Sequence, residues 1–391
     1  MDEADVVSRA EAVLSELLGR PVIVADFTRS RLEVSGAPAY VWSVARCRLT
    51  GIGTGEPEAV AVKWLRRDLD EFRIDPRQML TERAALEFLD DLGLELAPRL
   101  LASDAATSVL VLEDLHPRRA LYDLLDGEES EEARLGLAAF ATALGELAAT
   151  TVGHAATYYR RRRSLGPVEP HRDREGQIVQ RWIATRAAAA AIGVPIPDHA
   201  QAEMARVLHL MLHPGPFLAF SNGDPGENNF LILGSDGRTI DFEFAGYRHA
   251  LLDGAALHLP GPRWITMPDP VESGLEALHR SALSQALPEV QDDRVYGDAM
   301  AAAVLATALE RLADSQLDRI AKVDRRPAGD GSRPQVITTL EYSARAARHH
   351  VAFPRLAGWC LDLAERLRAR WPDADERLNS LAGNPATWVR R

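Results

Sequence analysis

Cysteine is nearly absent from the sequence, since Cys47 and Cys360 are the only two among 391 residues. Two isolated thiols are too few for a disulfide framework, and they lack the spaced ligand set of a cysteine-based zinc site. No apolar run approaches the roughly 20 residues that span a bilayer, and no basic segment followed by an apolar stretch marks a signal peptide. We therefore expect a soluble, cytoplasmic protein without a membrane partner.

Lysine is also scarce, because only Lys63 and Lys322 are lysine among the 45 basic residues and the other 43 are arginine. The formal net charge of −12 and the lack of an extended basic stripe argue against a nucleic-acid partner. We interpret the short basic run at Arg160–Arg163 as a solvated insertion. The acidic balance favours a cationic ligand only weakly, since salt screens surface charges beyond about 10 Å.

The length and the hydrophobic pattern predict two or so domain-sized units. Val7, Ala10 and Leu14 recur at helical spacing before Gly19, which indicates an amphipathic helix over residues 2–20. Alanine and leucine recur at helical spacing from Leu135 onward, so helices should dominate the second half of the chain.

An acid-rich segment carries the strongest functional signal. Its apolar runs and turn-forming residues predict a short strand, a turn and a hairpin. These elements would cover 217–220 for the strand, 222–226 for the turn, and 230–233 and 239–244 for the two hairpin strands. The hairpin would bring Asp241 back toward Asp224 and Asn229.

These side chains suit phosphoryl transfer. That reaction needs a carboxylate that orients the attacking hydroxyl and accepts its proton, together with oxygen ligands that hold Mg²⁺ on the phosphates. We assign the catalytic role to Asp224 and the metal-binding role to Asn229 and Asp241. ATP, or another nucleoside triphosphate, and Mg²⁺ are the expected cofactors.

An apolar strand at residues 60–63 ends in one of the two lysines. Strand alternation places Ala59, Ala61 and Lys63 on one face, where two small side chains leave room for a flat ring such as adenine. A compact ammonium is what a phosphate clamp can use. The alternative is a lysine that reaches water from the end of a strand.

A buried lysine requires a carboxylate partner, and the helix expected after Pro76 offers Glu82 and Glu87. Glu82 falls within the apolar stripe that begins at Met79, whereas Glu87 falls on the polar side. Glu82 is therefore the predicted partner of Lys63. The alternative is that Glu82 is a boundary residue whose side chain bends toward solvent.

Two motifs together resemble the kinase superfamily in the form carried by aminoglycoside phosphotransferases and choline kinases. The first is the spacing from Asp224 to Asn229, followed by the Asp-Phe-Glu triplet at 241–243. The second is the Val-Ala-Val-Lys strand at 60–63, whose lysine pairs with nucleotide phosphates in kinases. The spacing of 19 residues between Lys63 and Glu82 is also the one that this resemblance implies for the lysine and its helical glutamate.

The resemblance implies an α+β, bilobal, protein-kinase-like fold. A small N-terminal lobe with an antiparallel sheet and one main helix would cover 1–112, a hinge 113–116, and a large, mostly helical lobe 117–391. The chain would be a Mg-ATP-dependent small-molecule kinase that phosphorylates a hydroxyl group. Its acceptor would be an aminoglycoside or other antibiotic, an amino sugar or an amino alcohol, neutral or cationic, and the enzyme would be a monomer or a homodimer. A role in antibiotic resistance or in metabolism stays open.

The resemblance also implies further nucleotide-binding residues. Ala61 would lie beside the adenine, and the backbone near Glu113 and Leu115 would meet its edge at the hinge. The glycine-rich phosphate loop of protein kinases is missing before Lys63, because no Gly-x-Gly-x-x-Gly occurs there. Ser35 and Gly36 are the candidates for a degenerate loop of the kind found in aminoglycoside kinases.

Two residues would support the catalytic loop. Asn222 stands where the family usually has histidine, and an asparagine can still make backbone hydrogen bonds although it cannot titrate. Asp253 corresponds to an aspartate that braces the catalytic loop from the start of a helix. The alternative for Asp253 is an ordinary helix N-cap.

Three other interpretations compete with this one. A catalytically inactive, nucleotide-binding protein of the same fold would be consistent with the poor glycine loop and with Asn222. A protein kinase is disfavoured, because residues 242–275 contain no Ala-Pro-Glu segment. The triplet His171-Arg172-Asp173 spells a kinase catalytic loop, but Ile178 replaces the required asparagine, and we interpret it as a solvated loop.

Overall fold

The computed structural model describes seven stretches of the chain, which fold as two compact units. The described residues are 3–29, 42–65, 76–125, 130–170, 178–259, 268–314 and 332–374. The first unit consists of Met1–Arg119, Ala156–Val168 and Arg238–Ala245. The second unit consists of Ala120–Ala155, Glu169–Gly237 and Gly246–Arg391.

The first unit is built on a five-stranded antiparallel sheet of order β1-β2-β3-β5-β4. Its strands are β1 (Ile23–Arg29), β2 (Trp42–Thr50), β3 (Ala59–Leu65), β4 (Leu100–Asp104) and β5 (Val109–Glu113). The residues of β3 are buried almost throughout, since β2 and β5 flank it on both edges. A continuous apolar run without polar alternation is typical of such a central strand.

The two faces of β3 serve different purposes. Val60, Val62 and Trp64 belong to a core that also contains apolar side chains of α1 (Glu3–Leu18). Lys63 is one position out of phase with these residues and therefore points to the other face of the sheet. The predicted alternation along β3 and the predicted N-terminal helix are both confirmed.

The helix α2 (Pro76–Asp91) packs against β4 and β5. Met79 and Glu82 are both buried, so the predicted apolar stripe is present. Glu87 lies on the polar side, where it accepts a hydrogen bond from Arg83 at 2.9 Å. The periodicity therefore distinguished the buried glutamate from the solvated one.

The basic run lies in α5 (Ala155–Leu165), and its interpretation as a solvated insertion is wrong. Arg162 is only 2% exposed, and Arg161 donates to Glu87 of α2 at 2.7 Å. Tyr158 packs edge-on against Phe88 of α2, with ring centroids 5.6 Å apart. Tyr158 and Arg162 are four residues apart, so they share the helix face that meets α2.

Helices dominate the second unit, as predicted. They are α3 (Leu121–Leu125), α4 (Glu131–Thr151), α6 (Ile178–Ala191), α7 (Asp198–Leu212), α8 (Leu251–Gly254), α9 (Leu275–Leu283), α10 (Asp293–Asp314), α11 (Arg333–His349) and α12 (Pro354–Arg370). Among the described residues, short 3₁₀ turns lie between these elements, at Gly215–Phe217, Glu227–Asn229, Ala255–Leu257 and Pro288–Gln291. The alanine-rich α10 is central, because it contacts α6, α7, α8 and α11.

Short strands hold the acid-rich segment. They are β6 (Arg119–Ala120), β7 (Leu218–Ser221), β8 (Phe230–Leu233), β9 (Asp236–Thr239) and β10 (Gly246–His249). β7 pairs antiparallel with β10, and the other three form a sheet of order β6-β8-β9. The predicted strand over 230–233 is confirmed.

The predicted return strand over 239–244 is wrong. The strand β9 ends at Thr239, and Asp241 has a φ of +64°. That left-handed conformation is incompatible with an extended strand, and aspartate adopts it more readily than most residues do. The hairpin therefore ends early, and a turn rather than a strand positions Asp241.

No single helix among the described residues is long and apolar enough to cross a membrane. The successive helices α4 and α5 meet the length and composition criteria only when they are taken together.

Candidate active site

The ammonium of Lys63 lies among three carboxylates in the first unit. Its Nζ donates to Glu82 Oε2 at 2.6 Å, to Glu243 Oε2 at 2.7 Å and to Asp241 Oδ1. Lys63 is 2% exposed, and its Nζ lies 5.0 Å from the centroid of the Trp42 ring. The predicted pair of Lys63 and Glu82 is thus present, and the lysine does not reach out to water.

Strong electrostatic coupling fixes the charges in this cluster. Burial acts to lower the pKa of Lys63, but the carboxylates of Asp241, Glu82 and Glu243 together raise it well above its usual range. Burial raises the pKa of Glu243 to about 9, and repulsion from Asp241 adds to this effect. The ammonium is therefore a permanent charge, and Glu243 holds a proton at neutral pH.

Glu243 is the residue that sequence reasoning missed. The sequence motif assigns Asp241 to the metal and gives no role to Glu243, although both belong to the Asp-Phe-Glu triplet. The left-handed backbone at Asp241 bends the chain, so that both carboxylates reach Lys63. The triplet was the available signal, but a strand over 239–244 gave no reason to expect this turn.

The catalytic-loop residues form their own hydrogen-bonded group in the second unit. Asn229 Nδ2 donates to the Asp224 carboxylate at 3.1 Å and to the Asp224 carbonyl at 2.9 Å. Asn222 Nδ2 donates to the same carbonyl at 3.2 Å, and the backbone N–H of Asp224 donates to Asn222 Oδ1 at 3.3 Å. Both asparagines are buried, whereas Asp224 is exposed. The loop thus presents a carboxylate that Asn229 contacts directly, while Asn222 holds the Asp224 backbone.

Asp253 supports this loop through a serine. Ser221 Oγ donates to Asp253 Oδ1 at 2.6 Å and accepts the backbone N–H of Gly223 at 2.9 Å. Burial raises the pKa of Asp253 to about 6, although the Ser221 hydrogen bond opposes this shift. The alternative of a helix N-cap is wrong, because Ala250 occupies that position of α8. The contact with Ser221 is consistent with the predicted bracing role.

The remaining residues that are predicted to bind the nucleotide contribute few reactive side-chain groups. Ala61 is half-buried on β3, Glu113 accepts a backbone N–H at 3.1 Å, and Leu115 is buried. The two phosphate-loop candidates, Ser35 and Gly36, lie outside the described residues. The roles of these residues, and the hinge at 113–116, stay predictions.

The first unit also offers a donor set for a divalent cation. One carboxylate oxygen each from Glu82, Asp241 and Glu243 lies within 4.8 Å of the others. Hard oxygen ligands of this kind are the ones that Mg²⁺ prefers, so the chemistry of the cluster fits this ion. Asn229 belongs to the other unit, and its pairing with Asp241 around one cation stays a prediction.

Comparison with known proteins identifies the fold. No protein-family model and no curated protein matches the sequence. The chain is similar to the structure of amicoumacin kinase with AMP-PNP and Ca²⁺, at 13% identity and a TM-score of 0.52, over 88% of this chain and 94% of that chain. It is also similar to macrolide 2′-phosphotransferase from Brachybacterium faecium (13% identity, TM-score 0.49, 81% and 94%). Choline kinase from Streptococcus pneumoniae is a further similar structure (13% identity, TM-score 0.45, 90% and 99%).

The likeness to amicoumacin kinase shows that the chain has an α+β, kinase-like fold, which confirms the predicted fold class. The other similar structures include an aminoglycoside phosphotransferase and choline kinases. At 13% identity the likeness concerns the fold alone, so the activity must be argued from the residues of the site.

Proposed function

We propose that the protein is an ATP-dependent phosphotransferase that moves the γ-phosphate to a hydroxyl group of a small molecule. The observation that carries this proposal is the exposed carboxylate of Asp224, to which the buried Asn229 donates while the buried Asn222 holds the Asp224 backbone. A general base must be accessible to its substrate and must be fixed within hydrogen-bond reach of the proton that it accepts. Asp224 is accessible and fixed in this way.

The chemistry assigns a simple step to Asp224. Its carboxylate accepts the proton of the acceptor hydroxyl while the hydroxyl oxygen forms a bond to the γ-phosphorus. The bond from that phosphorus to the bridging oxygen breaks, and ADP leaves with the electron pair. The amide of Asn229 keeps the carboxylate turned toward the acceptor during this step.

The cluster around Lys63 would bind the nucleotide. The permanent charge of Lys63 suits the phosphates, and Glu82 holds the ammonium in position on the sheet. Asp241 and Glu243 would supply oxygen ligands to the cation. Mg²⁺, when bound, neutralises the charge that develops on the transferred and leaving groups. The proposal requires that this cluster and Asp224 act on the same nucleotide.

A catalytically inactive protein of the same fold is the alternative. Its support is the missing glycine-rich loop and the asparagine at 222. The hydrogen bonds of Asn222 weaken this support, because its amide satisfies both the N–H and the carbonyl of Asp224. An asparagine can therefore position the loop without a titratable ring.

The decisive experiment is ATP consumption with Mg²⁺ against a panel of hydroxyl acceptors. The panel contains amicoumacin, aminoglycosides, macrolides, amino sugars, choline and simple polyols, and Asp224→Ala serves as the blank. We expect one class of acceptor to stimulate ATP consumption in the wild type only. Nucleotide affinity without acceptor-stimulated turnover across the panel would instead support the inactive alternative.

A second prediction concerns Glu243 and the pH dependence of Mg²⁺ activation. Glu243 is protonated below a pKa of about 9, and a cation must displace that proton before the carboxylate can bind it. The half-saturating Mg²⁺ concentration of the wild type should therefore fall as pH rises toward 9, by at most about tenfold per pH unit for one displaced proton. In Glu243→Gln, steady-state titrations should show weaker Mg²⁺ activation that no longer follows this slope.

Glu87→Gln is the matched control for this prediction. Glu87 lies on the same helix as Glu82, but it pairs with Arg83 and Arg161 rather than with Lys63. It should keep the wild-type slope. A Glu243→Gln variant with an unchanged slope would remove Glu243 from the metal site.

A further inference from the structure

Two histidines and a glutamate form a separate cluster in the helical unit. His258 Nε2 lies 2.9 Å from Glu276 Oε2, and His350 Nε2 lies 3.3 Å from the same oxygen. All three donor atoms lie within 4.8 Å of one another. None of these residues belongs to the phosphotransferase site described above.

Three elements that are distant in sequence meet at this cluster. His258 follows the 3₁₀ turn Ala255–Leu257, Glu276 is the second residue of α9, and His350 directly follows α11. The neighbouring α10 fixes His350 from another side. The Tyr296 ring stands edge-on to the His350 ring at 5.9 Å, and a Cβ at Gly297 would lie only 3.2 Å from His350 Nδ1. Packing therefore holds the imidazole in place independently of any ligand.

The cluster is buried and incompletely satisfied. His258 is 2% exposed, and the side chain of Glu276 is 9% exposed. His258 Nε2 has no hydrogen bond of acceptable geometry within the described part of the chain, although the Glu276 oxygen is close. A buried polar nitrogen whose nearest acceptor is poorly aligned costs free energy, and a ligand at this position would recover it.

The carboxylate of Glu276 lies against two imidazoles. Its only cationic neighbours within 4 Å, among the described residues, are the imidazoles of His258 and His350. A neutral imidazole carries no charge, and a buried carboxylate is stable only when a cation or several hydrogen bonds compensate it. A divalent cation between the three donors would supply this charge.

We propose that His258, Glu276 and His350 bind a zinc-class transition-metal ion. Zinc–ligand bonds of about 2.0–2.1 Å in a tetrahedral shell place neighbouring donor atoms about 3.3 Å apart, close to the separations found here. Two imidazole ligands favour Zn²⁺ or a similar ion over Mg²⁺, which prefers oxygen. A water molecule would complete the shell. Because His258 and Glu276 are buried and His350 is half-buried, the ion stabilises the helical unit by joining the Ala255–Leu257 turn to α9 and α11.

The test is metal binding by the full-length, untagged protein in the absence of nucleotide. The protein is stripped with a chelator, dialysed and titrated with Zn²⁺ or Co²⁺, and bound metal, the visible absorption of Co²⁺ and the thermal midpoint are measured. We expect one tightly bound equivalent, a Co²⁺ spectrum of a four-coordinate site and a higher midpoint with Zn²⁺. His350→Gln should weaken binding by about 10- to 100-fold or more.

Two variants make the test specific. His349→Gln is the matched control, because the adjacent His349 contacts Asp269 rather than Glu276 and should retain wild-type affinity. Asp241→Asn removes a ligand of the carboxylate cluster and should leave the tight equivalent in place. Circular dichroism of the metal-free variants verifies folding, and Glu276→Gln provides a second ligand variant if His350→Gln misfolds. Equal affinity in wild type and in the folded ligand variant, or no bound metal in the wild type, would overturn the proposal whether or not the protein is a kinase.

Discussion

Asp224→Ala should reduce acceptor-stimulated ATP consumption by about 10²- to 10⁴-fold, the range that general-base catalysis contributes. The carboxylate that accepts the hydroxyl proton is lost, whereas the cluster around Lys63 is unchanged. We therefore expect the dissociation constant for Mg-ATP to stay within about twofold of the wild type. Steady-state kinetics gives the first value, and nucleotide titration in the absence of acceptor gives the second.

Asp173→Ala is the control for this prediction. His171-Arg172-Asp173 spells the catalytic triplet of protein kinases in the sequence, although these residues lie outside the described part of the structure. If Asp224 is the base, Asp173→Ala should turn over at nearly the wild-type rate. The reverse ranking of the two variants would show that the catalytic loop has been assigned to the wrong segment.

The sequence predicted the structure correctly where the signal is a repeating pattern of apolar residues within one strand or helix. The alternation along β3 separated Lys63 from the valines of the core, and the helical stripe of α2 selected Glu82 over Glu87. Each of these assignments needs only the orientation of side chains within one regular element. The partnership of Lys63 and Glu82 followed because a buried charge requires an opposite one.

Sequence reasoning failed where a single backbone angle decides the outcome. An extended strand through Asp241 would also place Asp241 and Glu243 on one face. The chain instead turns at the left-handed Asp241, and both carboxylates contact Lys63. Nothing in the local composition requires this conformation at an aspartate rather than at a glycine. The burial of Arg162 in α5 was missed for a different reason, because its partners on α2 are 81 and 85 residues away in the chain.

Lys63→Arg should impair catalysis although it keeps the positive charge. Glu82, Asp241 and Glu243 converge on a single nitrogen atom, and the Trp42 ring limits the space on another side. A planar guanidinium is larger than an ammonium and presents its donors in a fixed fork, so it cannot meet three oxygens at one point. We expect kcat/KM for ATP to fall by about 10²-fold, since displacement of a positioning group by about 1 Å has an effect of this size.

Stability measurements separate this effect from misfolding. Overpacking of a buried site costs about 1–3 kcal/mol, which lowers the thermal midpoint but leaves a folded protein. Lys322→Arg is the matched control, because it makes the same substitution at the only other lysine of the chain. If Lys63→Arg is folded and as active as Lys322→Arg, a compact ammonium is not required at position 63. The contacts of the three carboxylates with position 63 would then serve only to stabilise the sheet and α2. The nucleotide phosphates would have to bind elsewhere.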